Sequence, residues 1–179
     1  MKVFVAGATG AIGRPLMSAL IAAGHTVVGM TSSARGLTVL RNYGADGVMA
    51  DALDAGAVTT AVARVRPDAV IEELTSLPKD YTSEAMRAAG ERDRKVRLEG
   101  GGNLYNAARA AGVKRYLVQS TGFFYGPGTG LAIETDPLAA NASPGVAGSV
   151  RTYMAIEKRV LGSADMEGVA LRYGFFYGQ

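Results

Sequence analysis

The stretch GATGAIG, residues 7–13, has glycine at every third position and suits the binding of a phosphate. An apolar run at residues 2–6 precedes it and predicts a buried strand, and apolar residues at helical spacing follow it. Glycines let a backbone turn sharply and approach a pyrophosphate, while a helix N-terminus offers unpaired N–H groups and the positive end of its dipole. A strand, a glycine turn and a helix in this order predict a dinucleotide site; the alternative is an ordinary tight turn.

The sequence after the second predicted strand, residues 26–30, indicates which dinucleotide fits. An acidic residue at this place binds the ribose 2′-hydroxyl of NAD, and a basic residue accepts the 2′-phosphate of NADP. The segment TSSAR, residues 31–35, contains no acid and offers Ser32 and Arg35. These residues favour NADP, with NAD as the second choice; in the alternative, Arg35 is an ordinary surface residue.

The composition excludes several kinds of site. The chain of 179 residues has no cysteine for a disulfide or thiol chemistry, and its one histidine, His25, excludes a histidine-rich metal site. The net charge of +3, without basic residues interleaved with aromatic ones, gives no reason to expect nucleic acid. Because no apolar run reaches the roughly 18 residues of a membrane span and no secretory segment is present, we expect no membrane partner and a cytoplasmic location.

The glycine spacing G-x-x-G-x-x-G differs from the common G-x-G-x-x-G and resembles the short-chain dehydrogenase/reductase superfamily, in its extended or atypical branch of nucleotide-sugar epimerases and dehydratases. Residues 99–115, EGGGNLYNAARAAGVKR, are similar to the EGTxNLLxAAxxAGVKR helix of that family. The resemblance covers the whole chain. It implies an α/β fold with a doubly wound parallel sheet (Rossmann), strand order 3-2-1-4-5-6, and a nicotinamide dinucleotide as cofactor.

Hydrophobic periodicity and the resemblance place the remaining elements. The predicted helices cover residues 35–43, 55–64, 83–111 and 149–161, and the predicted strands cover 47–50, 69–71, 115–119 and 168–172. The long loop at 127–148 is typical of a lid or binding element. The charged stretch 87–97 predicts a solvated helix face; a subunit contact or a patch for a substrate phosphate is the alternative.

The resemblance also assigns the cofactor contacts. It places Asp51 against the adenine ring, whereas Asp54 is better placed to cap the next helix. Glu72 and Glu73, after the fourth strand, depart from the histidine and apolar residues that the family has there. The expected cofactor residues are Gly7, Thr9, Gly10, Ala11, Ile12, Gly13, Ser32, Arg35, Asp51, Ala52, Leu74, Thr75, Ser120, Tyr173 and Phe176.

The catalytic residues of the superfamily are only partly present. The family pattern that ends in Tyr125-Gly126 sets Thr121 on the catalytic Ser/Thr. The Tyr-x-x-x-Lys pair, in which the lysine lowers the pKa of the tyrosine, is absent. Tyr153 is followed four residues later by Glu157, which would raise its pKa, and Lys158 lies about 100° further round the helix.

A second alignment, on the family's glutamate, sets Glu157 on that residue, Ser149 on the tyrosine and Tyr153 on the lysine, and it does not restore the pair. A further departure is Arg97, which stands where many members carry an asparagine. Thr121 is therefore the first candidate for a catalytic residue and Tyr153 the second.

Two functions stay open at this point. One is an NAD(P)-dependent epimerase/dehydratase-like oxidoreductase with an unknown small-molecule substrate, and the other is a non-catalytic NADP-binding sensor or scaffold module. The resemblance implies a shortened member: a single NAD(P)-binding domain at residues 1–179, with the C-terminal substrate-binding region largely absent. Phe175, Phe176 and Tyr177 should then be partly exposed, and the chain should form a homo-oligomer.

Overall fold

The computed structural model describes residues 1–78 and 80–177, which form a parallel six-stranded sheet with helices on both faces. The order along the sheet is β3-β2-β1-β4-β5-β6, as predicted. The strands are β1 (Lys2–Ala6), β2 (Thr26–Thr31), β3 (Asp46–Met49), β4 (Ala69–Glu72), β5 (Arg115–Thr121) and β6 (Glu167–Tyr173). The helices are α1 (Gly13–Ala22), α2 (Ala34–Asn42), α3 (Ala55–Val65), α4 (Ser83–Lys95), α5 (Gly101–Ala110) and α6 (Pro144–Leu161).

The central strand β1 shows why this sequence forms a doubly wound sheet. Four of its five residues are buried, which is typical of a parallel strand covered on both faces. Val3 and Val5 pack with Met17 and Leu40 on the side of α1 and α2. The intervening Phe4 packs on the opposite side, in the cluster that contains residues of α3, α5 and α6. Alternate side chains of one strand therefore belong to two separate cores.

Two predicted helices differ from the structure by more than one or two residues. The last helix begins at Pro144 and not at residue 149, because proline has no N–H to lose at the first turn and its fixed φ suits that position. The predicted helix 83–111 is interrupted by a π-helical turn at Val96–Gly100. That turn inserts a residue into the helical register and lets Arg97 face the interior, where it is 3% exposed.

The solvated face predicted for the charged stretch holds for α4, in which no residue is buried, but not for Arg97 beyond its end. Among the described helices, none has the length and apolar character to cross a membrane. The described residues also contain no cluster of three side chains placed to hold a metal ion.

Candidate active site

The glycine loop lies at the carboxyl end of β1. The strand order reverses beside this strand, because β2 and β3 lie on one side of β1 and β4, β5 and β6 lie on the other. Gly7 has φ +81°, and a Cβ there would overlap the main-chain carbonyl of Glu73. A Cβ on Gly13 would overlap the Gly7 carbonyl and the backbone of Ala8. Gly10 is exposed, and a Cβ there would meet only the Gly7 oxygen, at 3.1 Å. Two glycines thus fold the loop tightly, and the third keeps its outer surface clear.

This loop presents unpaired donors. The N–H groups of Ala11, Ile12 and Gly13 have no hydrogen-bond acceptor among the described residues, and no side chain caps the start of α1. No acidic residue lies in the first turn of α1. Free N–H groups, a positive dipole end and a clear surface are what a pyrophosphate requires, so these residues fit the dinucleotide implied by the resemblance.

The NADP prediction names residues that follow β2. Ser33 caps α2, because its Oγ accepts a hydrogen bond from the Gly36 N–H at 3.1 Å. The neighbouring Ser32 and Arg35 are exposed, which leaves a hydroxyl and a guanidinium at the carboxyl edge of β2.

Of the cofactor contacts predicted after β3 and β4, some lie at the surface and others in the core. Asp54 caps α3 through the Ala57 N–H at 2.9 Å, as expected, and the exposed Asp51 accepts from the Leu53 N–H at 2.9 Å. Ala52 is buried, and its carbonyl accepts from Asn103 Nδ2. After β4, Leu74 packs into the core and Thr75 is exposed. Of the four predicted cofactor contacts Asp51, Ala52, Leu74 and Thr75, Asp51 and Thr75 are the exposed ones.

The side-chain hydroxyls of Ser120 and Thr121, at the end of β5, form hydrogen bonds with different partners. Thr121 is buried, and its Oγ1 accepts a hydrogen bond from the Phe123 N–H at 3.2 Å. Ser120 is also buried, and its Oγ donates to Glu157 Oε1 on α6 at 2.5 Å. The side chain that the structure brings against α6 is therefore Ser120 and not Thr121.

Glu157 occupies the place on α6 that a lysine four residues after Tyr153 would have. Besides Ser120, it accepts hydrogen bonds from Arg172 Nε and Nη2 at 2.9 and 2.8 Å. Burial alone would raise the pKa of Glu157, but the hydrogen bonds from Arg172 and Ser120 hold it below its ordinary value. Glu157 is thus an ionised carboxylate that is fully occupied with its own partners.

Tyr153 is half-buried, with the Arg97 guanidinium 5.1 Å from the centre of its ring. Its pKa is raised, as expected, but the main cause is burial and not Glu157; the charge of Arg97 opposes the shift. Arg97 donates to Asp93 Oδ2 at 2.7 Å, and Asp93 Oδ1 accepts from the Ser76 N–H at 2.6 Å. The Arg97 charge acts in the direction of the missing lysine, but burial outweighs it and the pKa of Tyr153 stays raised.

Glu72 and Glu73, the two acids after the apolar run of β4, are buried. Glu72 accepts from the Tyr116 hydroxyl at 2.5 Å and lies 3.5 Å from Arg159. Burial raises its pKa, and both partners oppose this. The sequence signal was present, since charged residues rarely follow a buried strand without a partner, but it did not show which partners these were.

Glu73 is 5% exposed, and its Oε1 accepts from the Tyr173 hydroxyl at 2.9 Å. The other oxygen, Oε2, is buried and has no partner among the described residues. Burial raises the pKa of Glu73 to about 7. Tyr173, at the end of β6, is half-buried and packs edge-on against Phe176, with ring centres 5.0 Å apart.

The aromatic residues after β6 are exposed, as predicted. Phe175 is 87% exposed and packs against Phe123 across 4.5 Å between ring centres. Phe176 is 57% exposed and Tyr177 99% exposed. Together with Phe123, they form an aromatic surface beside the carboxyl ends of β5 and β6.

Comparison with known proteins agrees with this geometry. The chain is 42% identical over 183 residues to the 3-diazoavenalumate denitrifying reductase of Streptomyces sp, a match that covers 99% of this chain and 57% of that protein. It is 32% identical over 117 residues to the photosystem II assembly factor Ycf39 of Synechocystis sp., covering 65% of this chain and 32% of that protein.

Solved structures share the fold. The UDP-glucose 4-epimerase of Thermus thermophilus in complex with NAD has a TM-score of 0.70 at 26% identity, covering 97% of this chain and 55% of that one. The UDP-glucose 4-epimerase of Stenotrophomonas maltophila, with bound NAD and formylated UDP-arabinopyranose, has a TM-score of 0.76 at 23% identity, covering 97% of this chain and 52% of that one.

The chain thus spans about half the length of these proteins, apart from the assembly factor, of which it spans about a third. A family model described as "NAD dependent epimerase/dehydratase family" matches residues 3–179, and the resemblance inferred from the glycine loop is confirmed. The chain therefore belongs to the NAD-dependent epimerase/dehydratase family.

Proposed function

We propose that the chain binds a nicotinamide dinucleotide on the glycine loop and acts as a reductase. The observation that carries the choice of reductase over epimerase is the engagement of Glu157 with Ser120 and Arg172. An epimerase of this family must take a proton from an alcohol and later return it, so it needs an activated base. Here a carboxylate stands in place of the lysine, and Tyr153 has a raised pKa. A reductase works in one direction and needs no such base.

Three further observations support this proposal. The free donors at Ala11, Ile12 and Gly13 suit the pyrophosphate, and the 42% identical relative is named a reductase. Ser32 and Arg35, with no acid beside them, favour NADP over NAD. The relative's name refers to a diazo compound, so the acceptor belongs among electron-poor groups, carbonyl or diazo.

We further propose that residues 1–179 act as one dinucleotide-binding domain, and that most substrate contacts come from outside them. The relatives' greater length supports this. Self-association through the surface of Phe123, Phe175 and Tyr177 is proposed as well, because exposed aromatic clusters of this kind mark interfaces.

A test follows the oxidation of NADPH and NADH by near-ultraviolet absorbance, with a panel of aldehydes, ketones and an aryl diazo compound. Turnover that requires both an acceptor and the protein is the expected result. UDP-glucose serves as the epimerase arm, and its conversion to UDP-galactose would contradict the proposal. Tight NADPH binding without any turnover would instead support the second candidate, a non-catalytic module.

A further inference from the structure

We propose that Tyr173 and Glu73 form the proton-donating pair of this site, in which Tyr173 protonates a reduced carbonyl acceptor and Glu73 restores the tyrosine proton. The inference rests on the proposed reductase function and concerns residues to which neither the family match nor the sequence motifs assign such a role. Its basis is a hydrogen bond of 2.9 Å between side chains one hundred residues apart.

The pair lies where the acceptor has to come. Glu73 follows β4, and its carbonyl supports Gly7 at the base of the glycine loop. Tyr173 ends β6, and its Cα is paired with that of Thr121 on β5. In open parallel sheets, ligands bind at the carboxyl ends of the strands, next to the point where the strand order reverses. The Tyr173–Glu73 pair spans this edge from β4 to β6, on the side of the glycine loop.

Glu73 has the properties of a carboxyl group that holds a proton and can pass it on. If it were ionised, the buried Oε2 would carry negative charge without a single donor among the described residues, which is costly. The groups that act on it are Tyr173, which donates to Oε1, Arg97, whose charge favours ionisation, and Glu72, whose charge opposes it. With a pKa of about 7, the carboxyl exchanges its proton near neutral pH.

Tyr173 is placed to donate a proton to the acceptor. It is half-buried, so one side of the residue is open to a ligand while its hydroxyl contacts Glu73. In the structure the Tyr173 O–H donates to Glu73 Oε1. When Glu73 is protonated on Oε1 this hydrogen bond reverses: the carboxyl donates to the Tyr173 oxygen, and the Tyr173 O–H turns to the acceptor oxygen. Burial and the Glu73 charge raise the pKa of Tyr173, so it keeps its proton until a stronger base forms beside it.

Hydride and proton reach the carbonyl from different groups. A reduced nicotinamide held by the glycine loop would supply the hydride to the carbonyl carbon, and the π electrons of the carbonyl would move to its oxygen. That oxygen forms a bond to the Tyr173 proton as the Tyr173 O–H bond breaks. Tyr173 regains a proton from the Glu73 carboxyl, which becomes a carboxylate and is reprotonated from water. The products are the alcohol and the oxidised cofactor.

The test compares Tyr173→Phe and Glu73→Gln with two matched controls, Tyr81→Phe at an exposed tyrosine and Glu91→Gln at an exposed glutamate. We expect Tyr173→Phe to lower kcat for the best carbonyl acceptor about 100-fold with the KM for NADPH unchanged. In the wild type, kcat should fall as the pH rises through about 7, because neutral Glu73 is lost. Glu73→Gln should remove this limb, and the controls should behave as the wild type.

A second measurement does not depend on turnover. Infrared difference spectra of the cofactor-free chain should show a protonated carboxyl band that titrates near neutral pH and is missing in Glu73→Gln. Tyr173→Phe should move that titration to higher pH, because the Tyr173 hydrogen bond lowers the pKa of Glu73.

The outcomes separate this proposal from the function on which it rests. Carbonyl turnover that persists in Tyr173→Phe, or a Glu73 carboxyl that is already ionised at about pH 5, overturns the proton-donating pair and leaves the reductase standing. Reduction of the diazo acceptor alone has the same consequence. Wild-type protein that reduces no acceptor overturns both proposals.

Discussion

The Ser120 hydroxyl on β5 donates a hydrogen bond to the carboxylate of Glu157 on α6, and the two side chains are both buried. Arg172 on β6 binds the same carboxylate through two nitrogens. One carboxylate therefore joins two strands and a helix at the edge of the sheet where the family's catalytic helix packs. Charge-assisted, bidentate hydrogen bonds of this kind are the strong ones in proteins.

Replacing Glu157 by glutamine should destabilise the fold. The amide loses the charge that binds Arg172, and we expect the free energy of unfolding at neutral pH to fall by about 2 kcal/mol. Because the folded-state pKa of Glu157 is lowered, its contribution is full above the ordinary glutamate range and is lost as the pH falls through the folded-state value. Urea unfolding at neutral pH and at about pH 3 should therefore show a difference that shrinks in acid.

Glu167→Gln is the matched control for that experiment, since Glu167 also binds an arginine, Arg115, but with both side chains about half exposed. We expect a loss below about 1 kcal/mol. Equal losses at the two positions would show that the Ser120–Glu157–Arg172 contacts add nothing beyond a surface ion pair.

Gly10→Val should abolish binding of the dinucleotide while the chain stays folded. The new side chain has little to clash with in the protein but fills the clear surface of the loop. Fluorescence titration with NADPH measures the effect, and circular dichroism checks the fold. Gly90→Val, at a glycine on α4 with open space around it, is the control and should bind as the wild type does. Unchanged affinity in Gly10→Val would place the cofactor elsewhere.

Arg35→Ala should weaken NADPH binding about tenfold and leave NADH binding unchanged, because the guanidinium is expected to meet only the 2′-phosphate. Calorimetric titration of both cofactors gives the ratio. Arg41, an exposed arginine in the last turn of α2, provides the control variant Arg41→Ala. If NADH binds the wild type more tightly than NADPH does, the prediction from Ser32 and Arg35 is wrong.

Glu73 should make the protein less stable as the pH rises. Its folded-state pKa lies at about 7, above the ordinary glutamate value, so the folded state holds a proton that the unfolded chain has lost. The free energy of unfolding should fall between about pH 4.5 and 7, by no more than about 3 kcal/mol. Urea unfolding across this range should show the slope in the wild type and in Glu91→Gln, and no such contribution in Glu73→Gln.

Self-association should depend on the aromatic surface after β6. Light scattering should show an oligomer for the wild type and a smaller species for Phe175→Ser, because the exposed ring is removed from its stack with Phe123. Tyr81→Ser, at a residue that is 72% exposed on another part of the chain, is the control. A stable wild-type monomer would contradict the prediction.

The sequence was most informative where its signals are local. Apolar runs followed by GATGAIG or by helical periodicity predicted strands and helices, and also the capping by Asp54, because strands, turns and caps are set by neighbouring residues. The strand order was implied by the family resemblance, and the structure has that order. The sequence predicts Arg97 on a solvated face, whereas the structure buries it in the π-helical turn Val96–Gly100. A single residue inserted into a helical register has no clear sequence signature. The Glu73–Tyr173 contact joins residues one hundred positions apart, and only the assembled sheet brings them together.

The main-chain carbonyl of Glu73 lies against Gly7, so the main chain and the side chain of this one residue have different roles. The phosphate loop rests on the main chain of residue 73, which every amino acid supplies, while the side chain is directed to Tyr173 at the other end of the site. In the proposed proton-donating pair, substitution at this position would therefore change the acid–base character of the site and keep the main-chain support of the glycine loop. Position 73 is for this reason a suitable starting point for redesigning the chemistry of the domain and for tracing how related sequences diverged.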